Sequence, residues 1–159
     1  MFQLYKEIFE GPPWFEKWDV KNVEELFWNE CEYKGFQGVC LEKDGKICGF
    51  SWGFLLPNVN TEGIYFSDIK KMFENKGLDA EKIFYGAETG IVPILQGEGL
   101  GKIIVQERFK LIKRSNVNWV CFRTINPAMI KINQELFQEV IKDFCDPKYP
   151  ERIWWRVKV

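Results

Sequence analysis

Ile91-Val92-Pro93-Ile94-Leu95-Gln96-Gly97-Glu98-Gly99-Leu100-Gly101-Lys102 joins a predicted strand to a predicted helix. The three glycines at 97, 99 and 101 let the backbone curl so that successive N–H groups point into one concavity. The helix start adds unpaired N–H groups and the positive end of its dipole, an arrangement that suits a pyrophosphate. Two familiar phosphate patterns fail here. A P-loop would need Gly where Gln96 stands and a hydroxyl where Ile103 stands. A dinucleotide fingerprint would need a third glycine, at Lys102 or at Ile104 depending on the register. Gln96, Gly99 and Gly101 do match a third pattern, Gln/Arg-x-x-Gly-x-Gly/Ala.

Upstream of this turn, residues 82–92 read as a strand rich in Ile, Phe, Tyr and Val. Downstream, 99–114 reads as a helix with Leu100, Ile103, Ile104, Leu111 and Ile112 on a broad apolar face. A strand follows at 118–124. Asn126 then caps another helix, with Pro127 at its first position. Met129, Ile132, Leu136 and Val140 recur at helical spacing. The last strands are predicted near 139–144 and 152–159, separated by Asp146-Pro147-Lys148-Tyr149-Pro150. Toward the N-terminus, 3–10 reads as a short helix stopped by Gly11-Pro12-Pro13, and Asp19 caps a second helix carrying Val20, Val23, Leu26, Phe27 and Cys31. Strands at 36–43 and 46–54 flank Asp44-Gly45, a tight hairpin signal. Residues 57–63 read as loop, and 67–76 as a helix ending near Gly77. This succession predicts one α/β (α+β) domain spanning 1–159, a mixed sheet flanked by helices.

Composition narrows the function. Apolar residues at 46% are enough for a packed core. The 22 Lys and Arg against 23 Asp and Glu leave no basic excess, so no nucleic-acid partner is expected. With no His in the chain, Ser-His and Cys-His pairs and the commonest transition-metal ligand are excluded. The five Cys form no CxxC and are odd in number, which disfavours a zinc site or disulfide framework and fits a reducing cytoplasm. No metal is expected. The N-terminal residues contain no apolar signal core, and no run of about 18 apolar residues appears, so no membrane partner is expected.

The glycine-rich turn in this context resembles the GNAT superfamily of N-acetyltransferases. The Val92-Pro93 strand end stands at the superfamily's spacing, and 126–136 is similar to its Asn-x-x-Met-x-x-Ile-Asn-x-x-Leu helix. Gly49-Phe50-Ser51-Trp52-Gly53 and Gly11-Pro12-Pro13-Trp14 also look like segments of members. Three departures stand out. A strand that many members carry before the first helix is missing or very short. Leu136-Phe137 lacks the usual intervening Gly, and Asn133 stands where many members carry a Tyr that protonates the departing thiolate.

The resemblance implies a GNAT-like sheet with two splayed central strands, here 82–92 and 118–124, and acetyl-CoA as cosubstrate. Backbone groups near Ile91, Val92 and Pro93 would bond the pantetheine, with an N–H near Val92 polarising the thioester. Gln96 to Lys102, the loop with Glu98 included, would hold the pyrophosphate: N–H groups of Gly97, Gly99, Leu100 and Gly101, with charge from Lys102. Asn126 and Asn133 could reach the pantetheine or the sulfur end. The acceptor would be a small-molecule or peptide amine, attacking the thioester directly in a ternary complex. An alkyl amine has a pKa of about 10, so a base is needed. Glu88, four residues before Val92, is the first candidate and Tyr85 the second. Pro12-Pro13-Trp14-Phe15, Trp52, Phe54 and 57–81 would wall the acceptor pocket. Plainer readings remain open at several positions. Asn126 is a good cap without any ligand, Lys102 and Asn133 could be solvated, and Glu88 could form a structural ion pair. The chain is expected to act as a monomer or homodimer, and a non-catalytic acetyl-CoA-binding or regulatory domain is the rival reading.

Overall fold

A computed structural model of the chain describes residues 1–57, 60–61 and 64–159. Its elements run α1 (Phe2–Glu10), α2 (Val20–Cys31), β1 (Gln37–Lys43), β2 (Lys46–Leu55), α3 (Phe66–Glu74), β3 (Ile83–Ile91), α4 (Leu100–Ile112), β4 (Trp119–Thr124), α5 (Pro127–Leu136), β5 (Val140–Cys145) and β6 (Ile153–Lys158). The order is the one the sequence predicts. Asp19 accepts from the Lys21 N–H at 2.8 Å and Asn126 from the Ala128 N–H at 3.0 Å, so both predicted caps form. Val140 departs from its helical spacing. The helix ends at Leu136, Phe137 turns to lie 4.3 Å from the Phe109 ring, and Val140 instead pairs with Val157.

The six strands form one sheet in the order β1-β2-β3-β4-β6-β5, antiparallel except for β3 beside β4. Helices cover both faces. On one face, Phe66, Ile69 and Phe73 of α3 pack against Phe54, Tyr85 and Trp154, while Tyr5, Ile8 and Phe9 of α1 pack with Phe50 and Trp52. On the other, Phe109 and Ile112 of α4 meet Phe84, Val120 and Val157, and Ile104 and Val105 meet Ile91. These clusters supply the apolar burial that holds the sheet.

The sheet is not zipped through its middle. β3 and β4 pair only at Ile83↔Trp119, Phe84↔Val120 and Tyr85↔Cys121. Beyond that point β3 continues to Ile91 paired only with β2, and β4 continues to Thr124 paired only with β6. A β-bulge sits where they part. Trp52 faces Glu88 and Gly53 faces Gly86, leaving Ala87 without a partner. A bulge bends its strand and increases the local twist, turning β3 away from β4. It also resets the alternation. Without it, Tyr85 and Glu88 would point to opposite faces; with it, they share one.

The bulge requires β2 and β3 to approach closely at Gly53, where an added Cβ would lie 2.1 Å from the Tyr85 carbonyl oxygen and 2.5 Å from Phe84. Gly53→Ala is therefore expected to cost about 3 kcal/mol, as overpacking does. Chemical denaturation checks this; a variant as stable as wild type would mean that the contact relaxes freely.

Candidate active site

The turn at the end of β3 is built from the strand outward. The Val92 N–H donates to the Cys48 carbonyl at 2.9 Å, extending the β2–β3 ladder by one residue. The Val92 carbonyl accepts from Leu95 at 3.0 Å, and Pro93–Leu95 form one 3₁₀ turn. Gln96 then reaches back, its amide nitrogen donating to the Ile91 carbonyl at 3.0 Å. Gly97 and Gly99 follow with φ of 86° and 81°, a left-handed conformation that favours glycine. Among the described residues, the N–H groups of Gly97, Glu98, Gly99, Leu100 and Gly101 donate to no protein acceptor. Five consecutive amides are thus free at the start of α4, with Gly97, Glu98 and Gly99 exposed. Gly101 has a different reason to be glycine: a Cβ there would stand 3.1 Å from Ile132 of α5, so its absence lets the two helices close.

A cavity of about 1180 Å³ passes through the gap between β3 and β4. Thr89, Arg108, Met129 and Asn133 line it on the α4–α5 side, and Tyr5, Trp14, Glu16, Glu30 and Glu88 on the α1–α2 side. Where β3 borders the gap, its backbone alternates. Val92 points its N–H at β2, so Thr89 and Ile91 point theirs toward the gap. The sequence reading expects a thioester-polarising N–H near Val92. The amide of Val92 itself is engaged, and the donors that open on the gap are one and three residues earlier.

Glu88 lines the cavity. The Tyr5 hydroxyl of α1 faces its carboxylate, and desolvation, then the charges of Glu30 and Glu16, push its pKa well above the ordinary carboxylate value. Glu30, on α2, accepts from the Trp52 indole N–H at 2.6 Å. Burial lifts its pKa from 4.5 to about 7, against the pull of that hydrogen bond. Glu16 accepts from the Trp18 indole at 2.8 Å and pairs with Arg152 at 2.6 Å. Arg152 in turn lies over the rings of Trp14 and Tyr149, 5.5 and 5.0 Å from their centroids. Asp146 shapes the loop that carries Tyr149, accepting from the N–H groups of Lys148 and Tyr149 and from Trp154. Burial raises the Asp146 pKa, but those bonds and Arg123 outweigh it and hold it below the ordinary value.

Other predicted site residues have structural partners. Lys102 pairs with Glu135 of α5 at 3.1 Å. Asn126 caps α5. Asn133 is buried, and its side-chain nitrogen donates to the Met129 carbonyl at 2.8 Å, one turn back in its own helix. Tyr85 is enclosed by Phe54, Phe66 and Trp154, and burial raises its hydroxyl pKa beyond the range of a base at neutral pH. The expected acceptor wall is corrected in part. Trp14, Asn60, Thr61 and Ile64 line the cavity, but Trp52 and Phe54 are core residues and Phe15 is 71% exposed. Asn58, Val59, Glu62 and Gly63 of the expected wall lie outside the described residues. Sequence reading missed Tyr5, Glu16, Glu30 and Arg108. Tyr5 and Arg108 occupy apolar helix faces, where a polar residue was the one available signal.

No protein-family model matches the sequence, and no curated protein matches it. Solved structures do. The ribosomal-protein-alanine N-acetyltransferase of Brucella melitensis superposes with a TM-score of 0.67 over 99% of this chain and 91% of its own, at 14% identity. The GNAT superfamily phosphinothricin acetyltransferase of Sinorhizobium meliloti, in complex with acetyl-CoA, gives 0.66 over 99% and 80%, at 14% identity. A spermidine N-acetyltransferase SpeG chimera from Vibrio cholerae and hSSAT gives 0.62 over 99% and 89%, at 10% identity. The chain therefore has the GNAT acetyltransferase fold, as the glycine-rich turn and its flanking elements led us to expect.

Glu30 generates a stability prediction. A carboxyl whose pKa is raised in the folded state binds its proton more tightly there than in the unfolded chain. Its contribution is then fullest below pH 4.5 and is lost as pH rises to about 7. Between pH 5 and 8, Glu30→Gln should gain about 3 kcal/mol on wild type. Denaturant midpoints at the two pH values measure this, and parallel behaviour of the two proteins would refute it.

Proposed function

We propose that this protein is an acetyl-CoA-dependent N-acetyltransferase whose acceptor is a primary amine. The observation that carries the reading is the open gap between β3 and β4, with five free amides in the turn that follows β3. The gap suits an extended, amide-bearing arm that bonds the exposed backbone of Thr89 and Ile91 as an added strand would. The free amides at 97–101 suit the diphosphate at its other end. When bound, acetyl-CoA supplies an acetyl group activated as a thioester. The likeness to solved acetyltransferases supports the reading, and its breadth explains why the fold does not name the acceptor. The three proteins above are named for a ribosomal protein alanine, phosphinothricin and spermidine.

This chain's residues then have definite tasks. Glu88 takes a proton from the attacking amine. A raised pKa makes its carboxylate a stronger base than an ordinary glutamate, and the Tyr5 hydroxyl faces it. An N–H of Thr89 or Ile91 donates to the developing oxyanion. Trp14, Glu16 and Arg152 form the acceptor-side rim. The cysteines are all free thiols, which supports a cytoplasmic location.

Two measurements test these assignments. Gly99→Glu places a negative side chain among the free amides. With two charge-assisted hydrogen bonds lost at about 1.5 kcal/mol each, coenzyme A affinity should fall about 100-fold. Calorimetry on the folded variant would contradict the site if affinity stayed at the wild-type level. In a thiol-release assay against a panel of amines, kcat/KM should fall on the acid side through a pKa above the ordinary carboxylate range, because Glu88 must be ionised to act. Glu88→Gln should lower kcat by about 100-fold or more and abolish that limb. An unchanged profile would remove Glu88 from the role, and coenzyme A binding with no turnover of any amine would leave a binding domain.

A further inference from the structure

Arg108 lies on the buried face of α4, where Ile104, Val105 and Ile112 one turn to either side are core residues and an apolar side chain is the ordinary choice. It is 4% exposed. Its guanidinium sits beneath the bulge, and Nη1 makes all four of its hydrogen bonds: to the Ser51 hydroxyl at 2.7 Å, the Trp52 carbonyl at 3.2 Å, the Thr89 hydroxyl at 3.3 Å and the Glu88 carbonyl at 3.5 Å. Every one of these acceptors is neutral. Nε, although buried, has no acceptor, and no described carboxylate forms an ion pair with this residue. Gly86 clears space for it, since a Cβ there would stand 2.7 Å from Nη2.

A buried cation without an anion is costly, and an anion entering the cavity would offset that cost. Burial draws the Arg108 pKa down to about 10, which still leaves it charged at neutral pH. The side chain lines the through-sheet cavity with Thr89, Met129 and Asn133. The free amides at 97–101 lie about 10 Å away along the helix axis, so the diphosphate is not this anion. Nor does Glu88 neutralise it, because the Glu88 carboxylate is directed to the opposite face, toward Tyr5.

We propose that Arg108 stabilises the coenzyme A thiolate as it departs, in place of a proton donor at position 133. The proposal rests on the acetyl-CoA reading above. The amine nitrogen forms a bond to the acetyl carbon, and the carbon–sulfur bond breaks with its electron pair going to sulfur. The proton lost from nitrogen goes to Glu88, and the N–H groups of Arg108 meet the negative sulfur. Asn133 cannot act as the acid, since an amide holds its protons and this one already bonds Met129. The groups facing Arg108 leave its charge available. β2 offers the Ser51 hydroxyl and the Trp52 carbonyl, and β3 the Thr89 hydroxyl and the Glu88 carbonyl. β4 contributes Phe122 and Thr124, and α5 Met129 and Asn133. None of these groups titrates near neutral pH, and Tyr85 on the opposite face stays neutral because burial raises its pKa.

The test compares coenzyme A with desulfo-coenzyme A, which has hydrogen in place of the thiol, by calorimetry on the full chain from pH 6.5 to 9. Wild type should hold the thiolate, so its preference for coenzyme A over the desulfo compound should rise about tenfold across this range. Arg108→Gln, which keeps a hydrogen-bond donor but no charge, should bind both ligands with a ratio that stays flat. Arg108→Lys should restore the rise. A flat ratio in wild type, or an undiminished rise in Arg108→Gln, would overturn the thiolate role while leaving the acetyl-CoA reading intact. If neither compound bound wild type, that reading itself would fall.

Discussion

Parallel pairing between β3 and β4 stops at Tyr85 and Cys121, and this interruption sets the terms for the rest of the molecule. Two strands that run side by side for three residues and then part leave backbone N–H and C=O groups along both inner edges. Buried groups of that kind must find partners, and unpaired ones cost about 1–3 kcal/mol each. The gap is therefore tolerable where something polar enters it. The cavity that passes between the strands is lined by residues from both faces of the sheet and, on our reading, the arm of a cosubstrate meets that need during turnover.

The interruption is produced locally. The bulge at Ala87 falls two residues after the last β3–β4 pair, and its bend carries β3 away from its neighbour. Close approach of β2 and β3 is possible there because both Gly53 and Gly86 lack side chains, one giving room to the Tyr85 carbonyl and the other to the Arg108 guanidinium. Arg108 bonds the carbonyls of Trp52 and Glu88, the facing pair next to the irregularity. One residue of extra strand thus parts the sheet, puts Glu88 on the same face as Tyr85, and brings a cation beneath the opening.

Most of the frame could be read from the sequence because its signals are local. Asp19 and Asn126 cap helices two residues away, Asp44-Gly45 closes a hairpin between its own strands, and the glycines at 97 and 99 need left-handed φ whatever surrounds them. The site was less legible because it is assembled from distant segments. Glu16 meets Arg152 across 136 residues of chain, and Trp52 donates to Glu30 from another element. A Tyr at 5 or an Arg at 108 on an apolar helix face is anomalous in periodicity, but periodicity does not say what it faces. The bulge was also invisible, since a single unpaired residue leaves no mark on an alternating pattern. Val92 shows the same limit. Its place at the strand end could be foreseen, but not the engagement of its amide by Cys48.

The arrangement of charge about the sheet follows from that topology. The α1–α2 face of the gap carries Glu88, Glu30 and Glu16, and the α4–α5 face carries Arg108 and, at the start of α4, the free amides. The sheet separates them, so the charges of Glu30 and Glu16 add to desolvation in raising the Glu88 pKa, without being offset by the arginine below. Such a division suits a reaction in which a proton leaves an amine on one side while negative charge accumulates on sulfur at the other. If the acids and the cation shared a face, they would form an ion pair, the carboxyl pKa would fall, and both the proton acceptor and the anion site would be weakened. Keeping them apart requires an opening through the sheet with different elements on either side, which is what the parted strands provide.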